Sequence, residues 1–306
     1  MDTEEKRGCG PVAERGSVVA PAASPAGVPA SGTPVAVRAT QRSRLFAVRV
    51  SGSEAPPARE AHASVGPASL LARALRVLEV PLLLVVPVSM AAALASGVAQ
   101  TALLMLVAVT LVLALFFAGY EASRPALRQI MPTLVLAALA AAGRILFAPI
   151  PDFKPVSAVA IIAGAALGRR NGFMVGALAA LTSNFFFGQG MWTPWQMYAW
   201  GLVGYLGGVL ADHGAFRRGG GRVRYAALVA YGLASGIVYG LVINAYDVIG
   251  FVQPFTWPGA IARVAAAVPF DLMHSAATAV FLVALYAPWT RRIDRVVRKY
   301  DLRACD

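Results

Sequence analysis

Residues 100–119 read QTALLMLVAVTLVLALFFAG, an uncharged and almost wholly apolar run. A helix needs about 20 such residues to cross the roughly 30 Å hydrocarbon core of a bilayer. The run has that length, and from residue 79 onward most of the chain is built of similar runs broken by short turns. The composition agrees. Hydrophobic residues make up 58% and charged residues only 14%, against roughly 25% charged in soluble domains, and mean hydropathy is +0.64. The expected fold class is an all-α polytopic membrane protein.

Eight spans are predicted, at 79–97, 100–119, 127–147, 155–168, 171–187, 195–212, 225–247 and 259–288. Spans four and five are short. The fourth covers only some 20 Å at about 1.5 Å per residue, so this pair is expected to be tilted, partly extended, or packed behind protein. Basic residues set the orientation. With the N-terminus inside, all but Arg144, Lys154 and Arg263 of the 27 Lys and Arg residues fall in the tails or the inner loops. That is the positive-inside distribution, and it predicts both termini in the cytoplasm. The net charge of +12 is therefore read as topology, not as a nucleic-acid surface.

Residues 1–68 are a different material. The segment VVAPAASPAGVPASGTPVAV (18–37) interrupts any helix with proline every few residues. It lacks the continuous apolar core of a secretory signal and reads as a disordered Pro/Ala-rich tail. Cys9 and Cys305 lie in the two polar tails without metal-ligand spacing, so neither a disulfide nor a metal site is expected. No phosphate-binding Walker sequence is present.

In this topology the segments 148–154, 188–194 and 248–258 face outward, and they hold most of the unusual polar and aromatic groups. The stretch NFFFGQGMWTPWQMY (184–198) sets Asn184, Gln189 and Gln196 among Trp192, Trp195 and Tyr198. Such aromatics can form an interfacial belt; amides beside aromatic faces also suit a flat polar small molecule. Thr193, Pro194 and Gln196 have capping-box spacing, which predicts a helix start. In GRILFAPIPDFKPV (143–156), Pro149, Pro151 and Pro155 forbid helix and stiffen a loop carrying Asp152, Phe153 and Lys154. That loop is either a plain connector or a lid.

Small residues at four-residue spacing, Gly172/Gly176, Gly204/Gly208 and Gly232/Gly236/Gly240, predict close helix packing. The alanines of LVLAALAAAGR (134–144), Ala137 with Ala141 and Ala138 with Ala142, form stripes that can meet a partner's helix. Asp271 and His274 sit three apart within the last span. Ionisable residues at that depth mark either a functional site or a satisfied interhelical pair. Asn244, Asp247 and Arg263 lie nearer the outer face. As a proton relay, Asp271 and His274 would make the chain a stand-alone secondary transporter. An intramembrane serine protease using Ser235 lacks the expected G-x-S-G spacing.

Taken together, GRILFAPIPDFKPV, SNFFFGQG (183–190), WTPWQM (192–197) and PFDLMHSAATAVF (269–281) resemble the substrate-binding S components of energy-coupling factor (ECF) vitamin transporters, cobalamin-type members most. The resemblance spans roughly 127–290. It implies a six-helix core over 121–290, with 69–120 as two additional transmembrane helices and 291–306 as a basic cytoplasmic tail. It further implies a vitamin-binding subunit of the cell membrane, without its own ATPase or a cofactor, working with a transmembrane coupling subunit and two cytoplasmic ATPases. The candidate binding residues, read from the outer segments themselves, are Phe153, Lys154, Asn184, Gln189, Trp192, Trp195, Gln196, Asn244 and Asp247. Pro149, Pro151, Asp152 and Pro155 become the gating loop, and Ala137, Ala138, Ala141 and Ala142 the face toward the coupling subunit.

Overall fold

A computed structural model describes residues 74, 77–96, 102–123, 127–217 and 221–300; the tail 1–68 and both cysteines lie outside them. The described residues are all-helical: α1 (Glu79–Ser96), α2 (Ala102–Ala122), α3 (Leu127–Leu146), α4 (Val156–Leu167), α5 (Arg169–Phe187), α6 (Thr193–Asp212), α7 (Tyr225–Phe251) and α8 (Trp257–Lys299). Apart from one isolated bridge between Arg217 and Val223, no extended pairing occurs among them.

Three helices are long and apolar enough to cross a membrane: Ala102–Ala122, Tyr225–Phe251 and Trp257–Lys299. That supports a membrane protein. Helix α4 explains the short fourth span. It has only 12 residues, and every position from Val156 to Gly164 is buried, so it lies behind protein. The eighth helix overruns its expected end at 288. Hydropathy falls where Arg291 and Arg292 begin, yet helix formation does not depend on hydropathy. The extension buries Val297 and pairs Asp294 with Arg217 at 3.0 Å.

Tight pairing of α5 with α6 and of α7 with α8 dominates the architecture, with α4 wedged against α5, α6 and α8. Absent side chains make this possible. A methyl at Gly204 would lie 2.2 Å from the Gly172 carbonyl oxygen, and one at Gly236 would strike Ser275. Gly168, at φ 96°, turns α4 into α5 in a single residue, a left-handed backbone that glycine alone adopts without strain.

Helices α1 and α2 are built into this body, against α6 and α7. Phe116 of α2 lies 3.9 Å from Phe173 of α5 between ring centres. The Tyr198 hydroxyl donates to the Leu83 carbonyl, and Glu79 pairs with Arg170.

Candidate functional site

Helix α3 ends in a loop held down from both sides. Lys154 folds back so that its ammonium group donates to the carbonyls of Phe147 (2.6 Å), Ala148 (3.3 Å) and Ile150. The ammonium group thus sits at the C-terminal end of α3, where a cation is favoured by the helix dipole. Phe153 packs against Phe147 and Phe281, with ring centres 5.9 and 5.1 Å away. Pro155 is buried against Gly143, whose missing side chain makes room for its ring. Between these anchors Asp152 has φ 51°, a left-handed conformation that Asp tolerates better than most residues. Burial raises the Asp152 pKa, partly offset by nearby Lys154 and Arg144, while Asp271 adds to the rise. Burial lowers that of Lys154, against the pull of Asp152.

Beneath the loop lies a connected polar network. Arg144, in the last turn of α3, donates from Nη1 to Ser183 Oγ (2.7 Å) and Asn184 Oδ1 (2.6 Å) on α5. Its guanidinium carbon sits 4.6 Å from the centre of the Phe187 ring and 4.9 Å from that of Trp200, the geometry of cation–π contact. Asn184 is fully buried and donates from Nδ2 to Thr193 Oγ1 (3.1 Å) and Gln196 Oε1 (2.8 Å) on α6. Tyr239 of α7 closes the region, its ring 4.8 Å from Trp200 and 4.5 Å from His274. Trp195 stacks on Tyr246 at 5.4 Å. Five helices thus converge on one polar, aromatic region.

The capping box predicted at Thr193 does not form. Trp192 takes the cap position without a side-chain cap bond. Thr193 instead donates to Gln189 Oε1 at 2.9 Å, and Gln196 is held by Asn184. The demand of the buried Asn184 amide outweighs the cap, because an unpaired amide in the interior costs more than a frayed helix end.

Asn184, Gln189 and Gln196 are therefore brought together around Thr193, whereas Trp195 stacks on Tyr246. Trp192 is 42% exposed and folds over Gly190. Asp247 pairs with Arg263 on the exposed flank, and Pro149 and Pro151 are exposed at the loop tip. Asn244 donates to Asp271 at 2.7 Å, whereas His274 shares a 2.7 Å hydrogen bond with buried Ser157. Asp271 and His274 thus have separate partners. Buried Ser235 donates to the Gly232 carbonyl in its own helix. Of the alanine stripes, Ala137 and Ala141 are buried within the chain while Ala138 and Ala142 are exposed.

Sequence reading passed over Arg144, Ser183, Trp200, Tyr239 and Ser157 as site residues. Arg144 carried the one available signal, a cation in the last turn of an apolar helix.

Residues 124–295 match the model of a family of unknown function, DUF6580, which is more than half of the chain. The chain belongs to this family. The DUF6580 match runs from just before α3 into the basic end of α8, so the loop and the whole polar network lie inside it, and α1 and α2 lie outside. No curated protein and no solved structure matches the chain.

Proposed function

We propose that this protein is the solute-capturing S component of an ECF-type importer, with α3–α8 as its six-helix core and α1–α2 as two added helices. It sits in the cell membrane as a multi-pass protein with both termini in the cytoplasm. It takes a vitamin-like molecule, cobalamin being the favoured candidate, from the outer side. A transmembrane coupling subunit and two cytoplasmic ATPases supply the energy.

The observation that carries this reading is the polar network of Arg144, Ser183, Asn184 and Gln196, flanked by the Trp200 and Tyr239 rings, beneath a loop fastened by Lys154, Phe153 and Pro155. Amides, a cation and stacked aromatics drawn from several helices are what a flat, polar small molecule requires. An anchored loop over them supplies a lid whose fastenings can release. The stand-alone transporter reading needs a proton path joining Asp271 and His274, and each is bonded elsewhere. Exposed Ala138 and Ala142, together with Leu134, Val135 and Leu139, offer a lipid-facing stripe suited to the coupling subunit.

Uptake of labelled vitamins by cells expressing the chain with its ATPase module tests this. Uptake is expected to survive an ionophore that collapses the proton gradient while ATP is maintained, and to stop when ATP is depleted. Uptake that stops with the proton gradient alone would replace an ATP-driven importer with a secondary transporter.

A further inference from the structure

We propose that the cargo carries a carboxylate or phosphate group and that this anion docks on Arg144. The inference rests on the solute-capture reading above and adds the chemical class of the solute.

A guanidinium has five N–H donors. Two bonds, both from Nη1, reach protein acceptors, Ser183 Oγ and Asn184 Oδ1. Among the described residues, Nε and Nη2 of Arg144 have no acceptor, and no carboxylate lies within ion-pair distance of it. Its direct contacts are a hydroxyl, an amide oxygen and two ring faces. Among the described residues, three cations form ion pairs, Arg170, Arg217 and Arg263, each with a carboxylate partner. A cation inside a membrane protein without a bonded counter-charge is costly.

A second, independent observation points the same way. The indole N–H groups of Trp195 and Trp200 are buried and have no acceptor among the described residues, although buried donors are nearly always paired. Trp200 is the ring on which Arg144 lies, and Trp195 stands earlier on the same helix, stacked on Tyr246. The groups that lack partners here are donors, and the fixed charge beside them is positive. An anionic, acceptor-rich ligand group satisfies both.

The neighbouring carboxylates do not fill this role. Asp152 is within electrostatic reach of Arg144, yet no hydrogen bond or ion pair joins them. Asp271 is held by Asn244. A lipid phosphate has the same chemistry, but the Arg144 guanidinium is directed inward, between Phe187 and Trp200 and onto Ser183 and Asn184. A soluble cargo is therefore the inferred source.

The test uses the full-length chain in detergent and equilibrium dialysis with matched pairs of labelled probes. The pairs are nicotinate and nicotinamide, biotin and biotin amide, pantothenate and pantothenol, and cobinamide phosphate and cobinamide. In at least one pair the anionic member should bind at least about tenfold more tightly, the ratio expected when hydrogen bonds to a charged group are lost. Arg144→Gln should erase that preference and Arg144→Lys should retain part of it, with all variants eluting as folded protein. Equal binding within every pair, or an acid preference that survives Arg144→Gln, would overturn the inference while leaving solute capture standing. Loss of acid binding on adding phosphatidylglycerol but not phosphatidylcholine would assign the site to a lipid and overturn it too. Folded protein that binds no probe would remove solute capture, and this inference with it.

Discussion

Placing a methyl group at Gly176 tests how α5 and α6 hold the site. An added Cβ there would lie 2.3 Å from the Trp200 carbonyl oxygen and 2.7 Å from the Gly201 nitrogen, where 3.4 Å begins ordinary contact. The shortfall is about 1 Å. The obstacle is backbone, so no rotamer change relieves it and the helices must separate. Overpacking of this kind costs roughly 1–3 kcal/mol. Gly176→Ala is expected near the top of that range, a change of about a hundredfold in the folding equilibrium. The displaced helices carry Ser183 and Asn184 on one side and Gln196 and Trp200 on the other, so ligand affinity should fall with stability. Gly250 is the control, because a methyl group there meets nothing within 4 Å. It lies in α7, where Gly→Ala typically stabilises by about 0.5–1 kcal/mol. Thermal unfolding of the two purified variants beside the wild type reads both signs. A Gly176→Ala protein as stable as Gly250→Ala would refute the packing argument.

Other predictions follow from the same geometry. Asp152→Asn suits the left-handed backbone and removes a carboxylate whose pKa burial raises. The folded state holds that proton more tightly than the unfolded chain, so stability falls as pH rises from the ordinary value of 3.8 through the folded pKa. The variant should therefore gain stability at pH 7 and little below pH 3.8, and a gain equal at both would remove burial as the cause. Arg170→Gln leaves the Glu79 carboxylate, only 7% exposed, without its cation. It should cost about 3 kcal/mol, partly recovered in Glu79→Gln/Arg170→Gln; chemical unfolding of single and double variants measures the difference. Ala138→Leu with Ala142→Leu should block transport while ligand still binds, whereas Ala137→Leu with Ala141→Leu should unfold the chain. Paired uptake and dialysis assays separate the two stripes.

Much of the helical plan was legible because uncharged runs and prolines act locally. The loop at 147–155 follows from Pro149, Pro151 and Pro155, and close packing follows from the glycine spacing. What was not legible depends on groups distant in sequence. Arg144 counted only as an outer-side charge until Ser183 and Asn184 came within reach, and Tyr239 looked like one more aromatic in an apolar helix. Thr193 and Gln196 had every local mark of a helix cap, yet the tertiary demand of Asn184 claimed both. Lys154, expected to touch ligand, closes the end of α3, a role readable only once the chain turns back. The alanine stripes were visible, but which of them faces outward depends on where α5 packs.

The most direct measurement is a thermal-shift screen of the purified chain against B vitamins, cobamides and queuosine precursors. A ligand that binds only the folded state stabilises it by about 2.7 kcal/mol at a hundred times its dissociation constant. Solute capture predicts a clear upward shift with at least one compound, diminished in Asn184→Ala and Trp200→Ala. Folded protein that shifts with none of them, or a shift that both variants retain in full, would contradict solute capture at this site.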